Sequence, residues 1–346
     1  MKKMLVITLL SLVLGAWLVG QGDAADKKVV LGKVPYTFEH AYHQSVCREF
    51  TEYAAKQYSA EARVVDGQAS NETTLAAVEN LIAQKVDGIA LHTGDAGLMT
   101  TAIKLAHKAG IPIVTTLIRP TEKLAPHIQP QEAPSSFAMG KTAAAKWLEA
   151  NPGKPCIVAM LDFGGFEQIE EMRTGPFFKG VKSVDPNAKL VAQLNGAGST
   201  VKSMEVMLDI LQGNPGVNII FGANDEMALG ALAACEQLGR GKMDNGKPLT
   251  EVIAGLDGSE AALVKIYDPS CSFKMTHGAV RDNAHAEVDT LMAMIKKELP
   301  MDQYKEIPVE SRVIDFWNTP IEEAQKFLEM NFFFTKNLKE LVSKKK

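Results

Sequence analysis

Short apolar runs alternate along the chain with stretches whose apolar residues recur every three to four positions. Residues 29–34 (Val-Val-Leu-Gly-Lys-Val) form the first run, and Val46, Phe50, Tyr53 and Ala54 follow at helical spacing. Strand-like runs over 62–66, 88–92 and 113–116 are then separated by helical stripes through Leu75, Val78 and Ile82 and over 102–109. A polar interruption at 129–132 (Gln-Pro-Gln-Glu) divides the rhythm, and Ser135 or Ser136 is placed to cap a helix running to Glu149. Runs at 156–160, 189–193, 217–221, 252–256, 272–276 and 309–314 alternate with helical patterns over 167–184, 201–211, 228–238, 259–266 and 280–295. This switching of period is the pattern of βαβ units and parallel sheets. The break in the middle predicts two doubly wound α/β halves instead of one barrel. Open α/β sheets bind ligands beyond the carboxyl ends of their strands, so two such halves facing each other make a cleft.

Composition narrows the function. The chain has 346 residues, 46% hydrophobic and 23% charged, which fits about two ordinary globular domains. With 37 Lys+Arg against 41 Asp+Glu it has no electrostatic footprint for nucleic acid. Residues 1–24 read as an export signal: Lys2 and Lys3, an apolar stretch over 4–20, then Gly22-Asp23-Ala24 before a cut after Ala24. The expectation is a periplasmic protein. Cys47, Cys156, Cys235 and Cys271 lie far apart, and free thiols are expected.

The motifs of catalysis are missing. There is no G-x-S-x-G elbow, no Walker-type phosphate loop and no H-E-x-x-H, and Gly196-Ala-Gly198 lacks a third glycine at Val201. Glu39, His40, His43 and Cys47 cluster in one segment, but lone histidines more often make ordinary hydrogen bonds than bind metal. No enzyme activity, cofactor or metal is expected.

The segment Phe221-Gly-Ala-Asn-Asp-Glu-Met-Ala-Leu-Gly-Ala-Leu232 resembles type I periplasmic binding proteins of the ribose- and galactose-binding kind. Their fold also forms the ligand domain of repressors of the lactose-repressor family. Residues 86–92 with 109–115, residues 172–180, and Ile253-Ala-Gly-Leu-Asp-Gly258 are similar to further family segments, in order and in spacing. The resemblance implies two Rossmann-like lobes joined by a three-segment hinge. The crossings fall near 129–132, 276–278 and 310–312. The first lobe then takes residues 25–130 and 278–310, and the second takes 131–277 and 311–346, with the C-terminal tail finishing on the second. It also implies capture of a sugar or sugar-like molecule by lobe closure, with delivery to an ABC-type permease or presentation to a chemoreceptor or sensor kinase, by a protein expected to be a monomer.

Site residues carry over position by position. Arg173, Asn224 and Asp257 match positions that contact ligand in sugar-binding members, and their chemistry suits it: a planar fork of donors, a donor–acceptor amide, and a carboxylate for two hydroxyls. The loop after the first strand offers Tyr36, Phe38, Tyr42 and His43 for stacking on a sugar ring. This sequence also departs from the pattern. Leu117-Ile118 replaces the ribose-type Asp-Arg pair, and Arg119 stands one place late. Gly198 takes the place of an aromatic, and His277 that of a hinge glutamine. His43, His92 and His277 are therefore candidate cleft residues together with Arg119, suiting a sugar derivative, a polyol, or a small carboxylate near Arg173.

Overall fold

The structure, a computed structural model, describes residues 28–344. The expected export segment 1–24 and the last two lysines lie outside them. The chain first lays down β1 (Val30–Val34), α1 (Ala41–Tyr58), β2 (Glu61–Val64), α2 (Asn71–Ala83), β3 (Gly88–Leu91), α3 (Ala96–Lys108), β4 (Ile113–Thr116) and β5 (His127–Gln131). It crosses into α4 (Glu132–Ala150), β6 (Ile157–Asp162), α5 (Glu167–Ile169), a π-helical turn (Glu170–Thr174), α6 (Gly175–Val184), β7 (Lys189–Asn195), α7 (Thr200–Gly213), β8 (Ile219–Gly222) and α8 (Asp225–Gln237). A short hairpin, β9 (Met243–Asp244) and β10 (Lys247–Pro248), precedes β11 (Val252–Ala254), α9 (Glu260–Ile266) and β12 (Phe273–Gly278). The chain returns through α10 (Val280–Ile295) and β13 (Glu306–Glu310), then ends with β14 (Arg312–Asp315), α11 (Ile321–Phe332) and α12 (Leu338–Ser343).

Two six-stranded sheets result, ordered β13-β5-β4-β3-β1-β2 and β14-β12-β11-β8-β6-β7, parallel throughout except for the β12–β14 pair. Both faces of the central strands are covered, so β3, β4 and β8 are buried at every residue, as parallel sheets require. Local chemistry sets the helix starts. Ser70, Asp95, Ser199, Asn224 and Ser259 each accept a backbone N–H of the first turn that follows. All four cysteines are buried free thiols.

The structure corrects the sequence reading at four places. The interruption at 129–132 is mostly strand, β5, one of whose two buried faces carries His127 and Gln129 in place of aliphatic residues. Its Pro130 is tolerated because pairing with β4 stops at Ile128, so no ladder bond on that side is lost. Ser135 and Ser136 are not caps, since α4 starts at Glu132 and holds both serines inside. The run at 309–314 is two strands, broken at Ser311, one in each sheet. The tail does not rest on the second half alone. Its Lys336 pairs with Glu260 of α9 at 2.8 Å, while its Asn331 accepts the Arg281 N–H of α10 at 3.0 Å and its Phe333 ring lies 3.8 Å from the guanidinium carbon of Arg48 in α1.

The three crossings share one buried knot. His277 at the second crossing bonds Ser311 Oγ of the third at 2.7 Å through Nδ1 and Ser136 Oγ, just past the first, at 3.2 Å through Nε2. Ser135 Oγ donates to the Ser311 carbonyl at 2.7 Å. Burial, with a smaller push from Arg173, takes the His277 pKa down to about 3. The imidazole is therefore neutral, one nitrogen donating and the other accepting.

Two predictions follow from this packing. Helices α4 and α6 cross at reciprocal glycines: a Cβ at Gly140 would sit 2.0 Å from the Phe177 carbonyl oxygen, and one at Gly180 2.1 Å from that of Phe137. Gly140→Ala should destabilise by about 3 kcal/mol in urea unfolding; a loss under about 1 kcal/mol would mean the helices can separate freely. For His277 the sign is fixed by its lowered pKa. Below about pH 6.5 the unfolded chain takes up a proton that the native one refuses, so wild type loses about 1.4 kcal/mol per pH unit there. His277→Gln escapes that loss, and its stability deficit should shrink by about 2 kcal/mol between pH 6.5 and 5. A deficit that stays constant would show that His277 titrates normally.

Candidate functional site

In each sheet the chain reverses its direction of strand addition at one point. In the first, β1 lies between β2 and β3; in the second, β6 lies between β7 and β8. Crevices open at the carboxyl ends of those strands. Tyr36 follows β1 and His92 follows β3 from one side, while Phe163 follows β6 and Asn224 follows β8 from the other. Between them lies a cavity of about 70 Å³.

The wall from the first half is aromatic and imidazole. The His43 and His92 rings meet edge to face at 4.8 Å between centroids, Tyr42 packs on His43 at 5.2 Å, and His40 stacks on His43 at 5.7 Å. Tyr36 lies 6.2 Å from His43 and 6.3 Å from His92. Burial first, then neighbouring imidazoles, Lys33 and Arg173, hold His43 well below the ordinary histidine range, and burial with Lys33 and Arg173 does the same to His92. Both rings are neutral, and each offers one donor and one acceptor. Below them Lys33 of β1 is fully buried with its ammonium 2.6 Å from both Glu287 oxygens, and Asn283 donates to Glu287 at 3.4 Å. That floor is therefore closed electrically.

The second half brings the charges. The π-helical turn carries Arg173, a local widening of the kind often found at functional sites. Its Nε and Nη2 donate to Glu132 at 2.6 and 2.9 Å, and Nη1 donates to the Ala223 carbonyl at 2.8 Å. Three of its five N–H groups are committed, which leaves two. Asn224 caps α8 by accepting from the Met227 N–H at 2.8 Å, and donates to the Gly198 carbonyl at 3.3 Å. Asp257 is buried, has φ 124°, and its carboxylate makes no hydrogen bond among the described residues. Burial, then Glu226 and Asp225, push its pKa well above the usual carboxylate range, with Arg173 opposing. The following residues are anchored by Asp225, which accepts from Ser259 N at 2.8 Å, Ser259 Oγ at 2.9 Å and Thr276 Oγ1 at 2.7 Å.

Of the ten residues singled out in the sequence, seven line this cavity: Tyr36, Tyr42, His43, His92, Arg173, Asn224 and Asp257. Three do not. Phe38 is 36% exposed on the outer side of the loop, where its carbonyl accepts from Gln44. His277 is held in the hinge knot by both ring nitrogens. Arg119 reaches across to Glu171 and Gln168 instead of into the cavity. Sequence reasoning missed His40 as a cavity residue, and also Leu117, Ile118, Phe163, Phe166 and Ile169. Phe163 and Phe166 could have been found by topology, since their loop follows β6 as the loop of Tyr36 follows β1. Gly164 and Gly165 between them have φ +72° and +85°, a turn that returns both rings to the cavity. Gly198 explains its own lack of a ring: a Cβ there would lie 2.9 Å from Phe163 and 3.2 Å from His40, which occupy that space.

The arrangement has apolar ring faces, many neutral donors and acceptors, and little net charge. Among the described residues no group of three or more His, Cys, Asp or Glu side chains is placed to hold a metal ion.

Residues 31–299 match the family described as periplasmic binding protein domain. The chain is 27% identical over 271 residues to the ribose import binding protein of Bacillus subtilis, spanning 78% of this chain and 83% of that one. It is 28% identical over 202 residues to the galactofuranose-binding protein of Escherichia coli, spanning 57% and 61%. Among solved structures it resembles an ABC transporter periplasmic solute-binding protein of Actinobacillus succinogenes with bound D-allose, with TM-score 0.70, 27% identity, and coverage of 86% of this chain and all of that one. The two-lobe architecture, the cavity at both switch points and the match over most of the sequence agree: this chain belongs to the periplasmic binding protein domain family.

Proposed function

We propose that this protein captures a neutral sugar or sugar-like polyol in the cavity between its lobes and delivers it to an ABC-type permease, after export through cleavage of residues 1–24. In this reading the lobes are residues 25–130 with 278–310 and residues 131–277 with 311–346, and the protein acts as a monomer that binds its ligand without chemical turnover. The observation that carries the reading is the polar inventory of the cavity. Neutral His43 and His92, two tyrosine hydroxyls, the two uncommitted Arg173 N–H groups and the Asp257 carboxylate supply unspent donors and acceptors beside aromatic faces. Sugars present this alternation of hydroxyls and apolar ring faces. The names of the relatives, ribose import and D-allose binding, point the same way.

Charge narrows the ligand class. Glu132 already neutralises Arg173, and burial pushes Asp257 towards its neutral form. A sugar acid would bury its carboxylate in the cavity with no uncompensated cation to meet it. The acid ligand that Arg173 suggests from the sequence is therefore disfavoured.

The test is ligand-induced stabilisation of the purified protein against neutral pentoses, hexoses and cyclic polyols beside the matching sugar acids. A neutral ligand at 100 times its dissociation constant should add about 2.7 kcal/mol. Stabilisation by sugar acids alone, or hydrolysis of any bound sugar, would overturn the proposal.

Substitutions separate the two charged residues. Asp257→Ala should weaken binding by about 2–4 kcal/mol by removing its buried hydrogen bonds to ligand hydroxyls. Arg173→Ala should also cost about 3–5 kcal/mol of fold stability, because it leaves Glu132 buried and unpaired. Wild-type affinity in Asp257→Ala would place the ligand elsewhere.

A further inference from the structure

The rim of the cavity carries contacts that neither the fold nor the ligand reading accounts for. Arg119 stands in the loop after β4, in the first lobe. Gln168 of α5 and Glu171 of the π-helical turn face it from the second. The Gln168 side-chain amide pairs with the Arg119 backbone in both directions: Oε1 accepts the Arg119 N–H at 2.8 Å, and Nε2 donates to the Arg119 carbonyl at 3.1 Å. The Arg119 guanidinium adds Nη2 to Glu171 Oε2 at 2.6 Å, and Nη1 to Gln129 of β5 at 3.4 Å. A side-chain amide thus reads a backbone peptide as one strand reads another, across two lobes that the topology joins only at the hinge.

The neighbours of these residues face the cavity. Ile118, directly before Arg119, and Ile169, directly after Gln168, both line it. Leu117, which begins this loop, has φ 67°, a conformation that is costly for leucine and that the surroundings must hold. Forming the rim contacts therefore seats two aliphatic side chains on the cavity wall, and parting the lobes breaks all of these cross-lobe contacts together.

We propose that Arg119, Gln168 and Glu171 form a closure latch, as positioning residues that hold the lobes together over the ligand and set its rate of release without touching it. The proposal rests on reading the cavity as the ligand site. Within the latch the shares are unequal. The Arg119–Glu171 pair is solvated, with side chains 33% and 54% exposed, and pairs of this kind contribute little. The amide pair is partly buried, so Gln168 carries more of the closure than either charge.

The experiment measures association and release rates for a neutral sugar that binds wild type, together with the ligand-free radius of gyration from X-ray scattering. Gln168→Ala should release the sugar about tenfold faster, the loss of two hydrogen bonds, with association changed less than about twofold. Glu171→Gln should speed release by less than about threefold. Gln168→Glu keeps the acceptor for the Arg119 N–H and should recover part of the loss. Because the latch favours the closed form, Gln168→Ala should also show a larger ligand-free radius. Release rates and radii equal to wild type would overturn the latch. If no neutral sugar binds wild type, the sugar reading falls, and the radius alone decides: a larger value in Gln168→Ala sustains the latch, and equal values reject it. A loss of affinity carried by slower association would also overturn it, because it would place Gln168 in ligand entry.

Discussion

The buried ion pair between Arg173 and Glu132 is the constraint around which the second lobe and the cavity are arranged. Both side chains are 7% exposed, so neither charge can be left to solvent. Glu132 is the first residue of α4, immediately past the first crossing, and Ala223, whose carbonyl takes a third bond from Arg173, follows β8. The pair thus ties a crossing, a helix and a strand end to one guanidinium. Breaking such a pair leaves an uncompensated charge in the interior, which costs several kcal/mol. The π-helical turn serves the same geometry by carrying Arg173 at a widened turn between two stretches of α-helix. What reaches the cavity is the remainder of the guanidinium, two N–H groups with their charge already balanced.

The first lobe handles charge in the same way. Lys33 and Glu287 neutralise each other beneath the histidines, and Asn283 extends the network to Thr116 at 3.1 Å. In the second lobe Asp225, fully buried and with its pKa raised to about 7 chiefly by burial, takes three hydrogen bonds from Ser259 and Thr276. Against that background Asp257 stands apart. It is a buried carboxylate with no hydrogen-bond partner among the described residues, in a backbone conformation rarely adopted outside glycine. Buried polar groups in folded proteins are satisfied as a rule, and exceptions coincide with sites where a ligand completes the set. A hydroxyl that donates to Asp257 would supply what the fold withholds, whereas Lys33, Glu287 and Asp225 already find partners within the fold.

The architecture was legible in the sequence because parallel sheets bury both faces of their central strands. Runs such as 88–92, 113–116 and 217–221 need no partner to be recognised. Strand β5 was hidden because two of its four buried residues are the polar His127 and Gln129, which are satisfied by contacts far away in sequence or just along the strand, including His127 Nδ1 to Thr115 Oγ1 at 2.9 Å. The break at Ser311 was hidden because a continuous β pattern does not reveal that a chain changes sheets. In the site, polar and aromatic residues could be named, and seven of them line the cavity. Their partners could not. Glu132 lies 41 positions from Arg173, and nothing local marks it as the counter-ion. Aliphatic liners such as Leu117, Ile118 and Ile169 carry no chemical signal at all, and only the fold brings them to the wall.

Arg119 shows how a departure from a family pattern can be read physically. Shifted one place from the sugar-clamping position, its guanidinium has Glu171 and Gln129 within reach, and its backbone has Gln168. The hinge is pinned by bonds to a fully buried imidazole, where no water can substitute, while the rim is pinned by bonds that solvent reaches. Opening the lobes therefore leaves the pivot intact and exchanges rim contacts for water at modest net cost. That asymmetry suits a binding protein. If the rim held strongly, the lobes would stay closed whatever the cavity contained, and a ligand could shift the equilibrium only by its differential affinity for the two forms. A weak latch keeps the closed form within reach, so that a hydroxyl on Asp257 and a ring face against Phe163 and Tyr36 can decide the balance.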